Sequence, residues 1–400
     1  MIITRIKIDN LYSFQNTEID FTYSRKKTNS TIDGEFLDFA PKFYFKKVCI
    51  ISGTNASGKT ALGKVLCYFL NFITGKNNTI SDIVSGVFDK ERNALLELDF
   101  VTLSDQKIHR VKIEVASNSV NSLKTLFYVA TKINGNDSAE KAKQKLKDIE
   151  EKQKGGTYIN SEQTSLDEVY EQLINKNIQQ NWYFLVSENE TGSSSGKINE
   201  FSVDLLGKLL KIFDPSVSKV NPIFKEVEVN GKIIRLNEGC EVIFANGDKA
   251  KIDDDCQVMT DPNRFSKGTF EILQVAGFIN RIMNSSDSKV PDEYQIGTFF
   301  LDEKMAYSNS HLEQAVVTLI ISKLGRYAQF FYTTHNYDIL DLNLPVHSFL
   351  FMKKDMHNTE IIHPDHTFQK NDRKLLNYVK NDYFHTIPDM EILDELIFGE

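Results

Sequence analysis

The segment GTNASGKT, residues 53–60, has the residue types and spacing of a phosphate-binding loop, GxxxxGK[ST]. Its small residues let backbone amides approach an anion, and a helix after the loop adds the positive end of its dipole. Lys59 can reach the β and γ phosphates of a nucleotide, and Thr60 can ligate Mg²⁺. The predicted binding residues are Gly53, Asn55, Ser57, Gly58, Lys59 and Thr60.

Two polar segments follow short apolar strands in the C-terminal half of the chain. The strand 297–301 ends in Asp302-Glu303. One carboxylate there can hold Mg²⁺ through water, and the other can orient an attacking water. The strand 330–332 runs into TTHN, which adds His335 as a further candidate. Asp302-Glu303 and His335 would each, taken alone, fit an ordinary strand end. Their occurrence together with the phosphate-loop pattern favours a nucleotide site.

A Ser-x-Gly sequence at Ser266-Lys267-Gly268 precedes a helical run, FEILQVAGFINRIM. Backbone amides at such a helix start can bind an anion. The same residues would also serve as a plain helix cap without any ligand. From these residues alone, both interpretations stay open.

The strands and helices predicted around these candidate residues would bring them together. Apolar residues at 48–51 predict a strand before the phosphate loop, and apolar residues at helical spacing over 61–73 predict a helix after it. The helical segment 312–324 joins the two later strands in a βαβ unit. This connection predicts that Asp302 and His335 lie at the same edge of a sheet.

The rest of the chain also divides into strands, hairpins and helices. A meander of strands is predicted over 94–101, 109–115 and 126–133. Hairpins are predicted around Asn230-Gly231 and Asn246-Gly247, because these dipeptides favour tight turns between alternating strands. Further helices are predicted over 138–154, 166–176 and 201–213.

These elements predict an α/β fold in which a mixed sheet with a P-loop core carries a helical insertion and β-hairpins. The predicted division has an N-terminal part with the phosphate loop, a helical insertion, a C-terminal part with the other candidate residues, and a C-terminal tail. The respective ranges are 1–136, 137–215, 216–365 and 366–400.

The composition excludes several classes of protein. With 41% apolar and 11% aromatic residues the chain can bury a core, so it is not a disordered protein. Lys+Arg 47 against Asp+Glu 55 gives a net charge of −8, which argues against a polycation that coats nucleic acid. Four scattered cysteines, with no CxxC pair, predict buried thiols in a reducing compartment. The opening MIITRIKIDN and the short apolar runs predict a cytoplasmic chain with no secretory leader and no membrane contact.

The order of these motifs resembles the head domain of an ABC-type ATPase. FSKGT is similar to that family's signature motif, FFLDE to its Walker B strand, and TTHN to the segment that carries its switch histidine. Within this group the chain most resembles the OLD-like ATPases, which include ATPase subunits of bacterial anti-phage systems. NLYSFQNTEIDF is similar to their opening and LLNYVKNDYFHTIP to their tail. Phe265 and Lys267 depart from the usual signature residues.

The resemblance implies a homodimer, or a higher homo-oligomer, that clasps ATP and Mg²⁺ between two heads. Lys59 of one subunit and Ser266 and Gly268 of the other would contact the same nucleotide. Glu303 would orient or deprotonate the water, and His335 would sense the γ phosphate. The resemblance further implies a separate effector protein, a nuclease or toxin, that the ATP cycle controls, whereas a membrane partner is not expected.

The sequence leaves two alternative functions open. One is an ATP-dependent DNA-binding protein of the SMC-like class, with basic candidates at Lys26-Lys27 and between Lys141 and Lys154. The other is a self-contained nuclease. It is the less favoured alternative, since the sequence after His335 is too short for a TOPRIM domain and Asp253-Asp254-Asp255 is typical of a solvated loop. His357, His363 and His366 are expected to be exposed tail residues rather than metal ligands.

Overall fold

The chain is a mixed α/β protein with several sheets, described by a computed structural model. The described residues are 1–24, 30–75, 79–117, 122–152, 157–160, 182–186, 191–193, 202–229, 232–253, 258–260, 264–285, 296–368, 374–386 and 397. Within them the strands are β1 Ile2–Asp9, β2 Thr17–Asp20, β3 Thr22–Tyr23, β4 Phe36–Leu37, β5 Ala40–Phe45, β6 Val48–Gly53, β7 Ala94–Thr102, β8 Lys107–Val115, β9 Leu123–Lys132, β10 Thr157–Asn160, β11 Trp182–Leu185, β12 Thr191–Ser193, β13 Val217–Val229, β14 Lys232–Phe244, β15 Lys249–Asp253, β16 Ile296–Asp302, β17 Tyr327–Thr334, β18 Phe349–Asp355 and β19 Asn358–Ile362.

The described helices are α1 Lys59–Ile73, α2 Thr79–Ser85, α3 Ala139–Glu151, α4 Val203–Phe213, α5 Lys267–Ser285, α6 Ser310–Ser322, α7 Pro364–Thr367 and α8 Leu375–Lys380. Two 3₁₀ turns, Tyr337–Asp341 and Val346–Ser348, connect β17 to β18. The chain divides into two compact units. The first comprises residues 1–180 and 329–400, and the second comprises residues 181–328.

An antiparallel sheet forms one layer of the first unit. Its strand order is β10-β9-β8-β7-β1-β2, and every neighbouring pair is antiparallel. Alternate residues of β1, among them Ile6 and Ile8, are fully buried, as expected for a strand with one face on a core. β7, β8 and β9 confirm the predicted meander. β3, β5 and β4 form a separate small sheet, with β5 in the middle.

The phosphate-loop motif follows a central strand of the first unit. β6 lies between β17 and β18 and is parallel to both, with Phe330 opposite Val48 and Phe349 opposite Ile50. β19 is antiparallel to β18, so this is a mixed sheet. Every residue of β6 is buried, which explains why its sequence is a continuous apolar run rather than an alternation. The predicted strand, loop and helix are therefore confirmed.

The second unit contains strands and helices of its own. β11 is parallel to β16 and antiparallel to β12, and β13, β14 and β15 form a three-stranded sheet. α4 packs against α5 and β13. The predicted helix 201–213 is confirmed as α4, which begins after a Ser202 cap and ends at Phe213, before Pro215.

Both predicted hairpins are present. β13 and β14 are each 13 residues long and pair with each other, so the first hairpin is longer than predicted. Its Asn230-Gly231 dipeptide lies outside the described residues. The second turn has Gly247 at φ 89°, in the left-handed region that favours glycine. The Gly247 amide donates to Phe244 O at 2.9 Å, which closes the turn between β14 and β15.

The helical segment predicted over 137–215 is divided between the two units. α3 begins at a Ser138 cap and packs against β8 and β9 of the first unit, with Ala142 and Leu146 buried. α4 belongs to the second unit. The other predicted helix, 166–176, lies outside the described residues.

Three cysteines, Cys49, Cys67 and Cys240, are buried free thiols, as predicted, while Cys256 lies outside the described residues. Burial raises the pKa of Cys49 and of Cys240 to about 12. Among the described residues, none of the helices is both long and apolar enough to span a bilayer.

Candidate functional site

Two glycines shape the loop that joins β6 to α1. A Cβ atom on Gly53 would lie 2.0 Å from the carbonyl oxygen of Met352, which is too close for any real contact. Gly58 has a φ of 101°, and a Cβ atom there would lie 2.9 Å from Thr359 Oγ1. The motif thus needs glycine at both positions because of backbone geometry and close packing. Asn55 is exposed at the tip of the loop, whereas Ser57 is buried and Thr60 half-buried.

Lys59, the first residue of α1, folds its side chain back across the loop. Its Nζ donates to the carbonyl oxygens of Gly53 at 3.0 Å and Thr54 at 2.9 Å, and lies 3.5 Å from Ser57 Oγ. Only 3% of Lys59 is exposed. A nearly buried ammonium at a helix N-terminus attracts an anionic ligand, because the charge and the backbone amides act in the same direction.

His335 reaches the same loop from the end of β17. Its Nδ1 lies 3.2 Å from Lys59 Nζ and 3.2 Å from Gly53 O. Nδ1 can accept from the ammonium or donate to the carbonyl, depending on the tautomer. The ring is exposed. Of the residues predicted from separate segments, the structure therefore brings His335 to Lys59 across 276 positions of sequence.

Two residues that the sequence reasoning did not select, Ser13 and Thr359, lie against this loop. Ser13 precedes β2 and Thr359 lies in β19. Their hydroxyl oxygens are 2.6 Å apart, and Thr359 Oγ1 donates to Ser57 O at 2.9 Å. Ser13 lies within NLYSFQNTEIDF, whose sequence predicts no site residue. A lone serine or threonine gives no sequence signal for such a contact.

In the second unit, Asp302 ends β16 and is completely buried. Glu303 follows with a φ of 48°, a left-handed conformation that is uncommon outside glycine. Lys304, 6% exposed, is next; burial lowers its pKa, while Glu271 and Asp302 act in the opposite direction. The shared sheet edge of Asp302 and His335 stays a prediction, because these residues belong to different units.

Ser266 and Gly268 are at the start of α5, as predicted. Ser266 Oγ accepts from the Thr269 amide at 3.1 Å and lies 2.7 Å from Thr269 Oγ1, so this side chain caps its own helix. Gly268 packs closely, since a Cβ atom there would lie 3.1 Å from Tyr307 O. Phe265 is buried against Phe244.

The segment after Glu303 contacts the start of α5. The Tyr307 amide donates to Glu271 Oε2 at 3.4 Å, and Lys267 Nζ lies 5.1 Å from the centre of the Tyr307 ring. Burial raises the pKa of Glu271. Within the second unit, then, the segment that follows FFLDE packs against the first turns of the helix that begins at FSKGT, and Tyr307 and Glu271 are the contacts that the sequence did not reveal.

The expectation for the tail histidines is wrong for His363, which is half-buried. His363, Asp365 and His366 bring three possible metal-ligand atoms within 4.8 Å of one another. The completely buried Lys46 ammonium, however, lies 3.3 Å from Asp365 Oδ1 and 3.4 Å from His363 Nδ1. Burial and Lys46 lower the pKa of His363 to about 3. Lys46 therefore already supplies a positive charge to this cluster, and a cation bound there would be repelled by it.

The lysines of α3 do not form an open basic patch. Lys141 and Lys145 pair with Asp137, Lys143 pairs with Asp20 at 2.5 Å, and Lys147 lies 3.7 Å from Glu151. The other basic candidate, Lys26-Lys27, lies outside the described residues, as do Asp254 and Asp255.

No family model matches the sequence, and no curated protein matches it. Solved SMC head domains are structural neighbours. An SMC head bound to the C-winged-helix domain of ScpA is 12% identical, with a TM-score of 0.47 over 90% of this chain and 97% of that chain. The SMC head domain from Thermotoga maritima is 11% identical, with a TM-score of 0.40 over 91% and 99%.

A third neighbour is an Smc head domain with an extended coiled coil, bound to the C-terminal domain of ScpA derived from Pyrococcus furiosus. It is 12% identical, with a TM-score of 0.47 over 90% of this chain and 96% of that chain. Identities this low and TM-scores below 0.5 leave the function to be argued from the loop residues themselves.

Proposed function

We propose that the chain is an ABC-type ATPase head that binds ATP with Mg²⁺ at residues 53–60. The observation that carries this proposal is the position of Lys59, whose buried ammonium lies inside a glycine-shaped loop at the start of α1. Such a loop offers backbone amides, a helix N-terminus and a fixed cation to one anion. This combination matches the phosphates of a nucleotide.

The motif resemblance assigns magnesium to Thr60 and Asp302, and we propose these residues as its ligands. Both offer oxygen atoms, the ligands that Mg²⁺ prefers, and the ion would neutralise charge on the phosphates. Glu303, beside Asp302, is the proposed base for the attacking water. His335 would hold Lys59 in place and contact the γ phosphate, since its ring already lies 3.2 Å from the ammonium.

The chain carries one copy of each motif, and this supports a homodimer with two composite sites. Ser266 and Gly268 of one subunit would meet the nucleotide bound at the partner's loop. ATP would then join two heads and hydrolysis would release them. We further propose that this cycle controls a separate effector, a nuclease or toxin of an anti-phage system, and that the chain resides in the cytoplasm. The family resemblance supports these finer points.

The SMC-like DNA-binding alternative receives less support, because the α3 lysines are paired with acidic side chains and would neutralise few DNA phosphates. Binding of DNA remains compatible with the proposal as an input to the ATP cycle.

The deciding experiment is a calorimetric titration of ATP with Mg²⁺ into the protein and into Lys59→Ala. We expect a loss of affinity of about 10- to 150-fold, because a charge-assisted contact contributes about 1.5–3 kcal/mol. Lys147→Ala is the matched control, since it removes one exposed lysine of the same unit. Equal ATP affinity in the Lys59 and Lys147 variants, or no ATP binding by the unaltered protein, would contradict the proposal.

A further inference from the structure

Two hydroxyl groups from opposite ends of the chain meet behind the phosphate loop. Ser13 Oγ lies 2.6 Å from Thr359 Oγ1, and the two residues are 346 positions apart in sequence. Thr359 Oγ1 lies 2.9 Å from Ser57 O. Ser57 is completely buried, Thr359 is 4% exposed and Ser13 is 9% exposed, so these contacts are largely shielded from solvent.

The direction of the two hydrogen bonds follows from the number of protons. A carbonyl oxygen only accepts, so the single proton of the Thr359 hydroxyl goes to Ser57 O. The Ser13 hydroxyl must then donate to Thr359 Oγ1. A backbone bond from the Thr359 amide to Ser13 O, at 2.8 Å, fixes the distance between the two residues. We call the chain of bonds from Ser13 through Thr359 to Ser57 the hydroxyl relay.

The hydroxyl relay acts on the peptide bond between Ser57 and Gly58. In a trans peptide the carbonyl and the following N–H point in opposite directions. Because Ser57 O is held toward Thr359, the Gly58 N–H points away from Thr359. A Cβ atom on Gly58 would lie 2.9 Å from Thr359 Oγ1 and 3.2 Å from Ser13 Oγ, so the loop backbone passes close to both hydroxyls.

We propose that Ser13 and Thr359 are positioning residues of the nucleotide site. Through the hydroxyl relay they set the orientation of the Ser57–Gly58 peptide and so present the Gly58 amide to the phosphates. The inference rests on the proposed nucleotide function. Neither side chain touches the ligand. Each hydroxyl acts through the loop backbone. Removal of either hydroxyl therefore weakens phosphate binding, although the loop sequence is unchanged.

The test is a titration of ATP and of ADP, each with Mg²⁺, into Thr359→Val, which keeps the side-chain shape and removes the hydroxyl. We expect about a tenfold rise in both dissociation constants, equivalent to about 1.4 kcal/mol. Thr359→Ser keeps the hydroxyl, and we expect it to bind both nucleotides within about twofold of the unaltered protein. Ser13→Ala leaves the Thr359 bond in place and is expected to lose about threefold.

Thr4→Val is the matched control, because Thr4 Oγ1 also donates to a buried carbonyl of the same unit, Asp99 O, at 3.0 Å. We expect Thr4→Val and Thr359→Val to lower the melting temperature by similar amounts, and only Thr359→Val to weaken nucleotide binding. Equal nucleotide affinity in these two variants would overturn the relay. If Thr359→Val does not fold, Ser13→Ala decides, and unchanged affinity there overturns it.

These outcomes are separate from a failure of the proposed function. If the unaltered protein binds no ATP, the nucleotide function itself fails and the relay falls with it. If the unaltered protein binds ATP and Lys59→Ala does not, but both relay variants bind normally, the function stands and only the relay is wrong.

Discussion

At the scale of single residues, the contact between His335 and Lys59 predicts different effects of the two side chains on ATP binding and on ATP turnover. The histidine lies at the end of β17 and contacts a lysine that also has carbonyl partners at Gly53 and Thr54. Those partners remain when the ring is removed. Binding of ATP should therefore depend on Lys59, whereas turnover should depend on both residues.

We expect His335→Ala to bind ATP within about threefold of the unaltered protein and to hydrolyse it about 100-fold more slowly. The reason is that one polar group which contacts developing charge contributes about that factor. Steady-state phosphate release and a binding titration on the same variant measure both quantities. His357→Ala, at an exposed turn between β18 and β19, is the control. A large loss of affinity in the His335 variant would show that the ring holds the ground state instead.

At the scale of secondary-structure elements, α3 is held to the first unit by a cap, by packing and by charge. Ser138 Oγ accepts from the Lys141 amide at 3.3 Å. Arg110 of β8 donates to Glu150 Oε2 at 2.8 Å, and it also pairs with the completely buried Asp99. The sequence pattern of α3, charged and helix-favouring, predicted a helix within an insertion. Ala142 and Leu146 show that one narrow face is buried.

Ser138→Ala is expected to reduce the free energy of unfolding by about 1 kcal/mol, because the first turn of α3 loses its cap. Urea unfolding followed by far-ultraviolet circular dichroism measures the change. Ser104→Ala, at an exposed turn between β7 and β8, should change the value by less than about 0.5 kcal/mol. If both substitutions have the same effect, the cap does not stabilise α3.

At the scale of the whole molecule, the proposal requires two copies of the chain. In the proposed mechanism one chain would supply Lys59 to one nucleotide and Ser266 and Gly268 to another, so a single chain would complete neither site. ATP-dependent association is therefore a direct consequence of the proposed mechanism. It also distinguishes this mechanism from an ATPase that works as a monomer.

We expect Glu303→Gln to form a stable dimer with ATP and Mg²⁺, because the nucleotide binds and is not hydrolysed. Under the same conditions Lys59→Ala should keep the oligomeric state that it has without nucleotide. Size-exclusion chromatography with light scattering measures both masses. The same oligomer for both variants, with and without ATP, would argue against the composite site.

The sequence alone determined the features that depend on neighbours along the chain. GTNASGKT placed a strand before the loop and a helix after it, since glycine spacing, apolar runs and helical periodicity are local properties. The same is true of the β7–β9 meander, of α4 with its stop before Pro215, and of the turn at Gly247. Lys59 was also selected from sequence, as the lysine of the loop motif, and His335 was selected as a residue at the end of an apolar strand.

Only the tertiary structure decided which distant residues meet. The hydroxyl relay joins positions 13, 57 and 359, and Lys46 pairs with Asp365, although neither contact leaves a pattern in the sequence. A hydroxyl or a carboxylate near either end of the chain has the same local signal whether it faces water or a buried partner. Its partner is fixed by strand order and register, because the pairing of β18 with β6 and with β19 brings Thr359 to the loop.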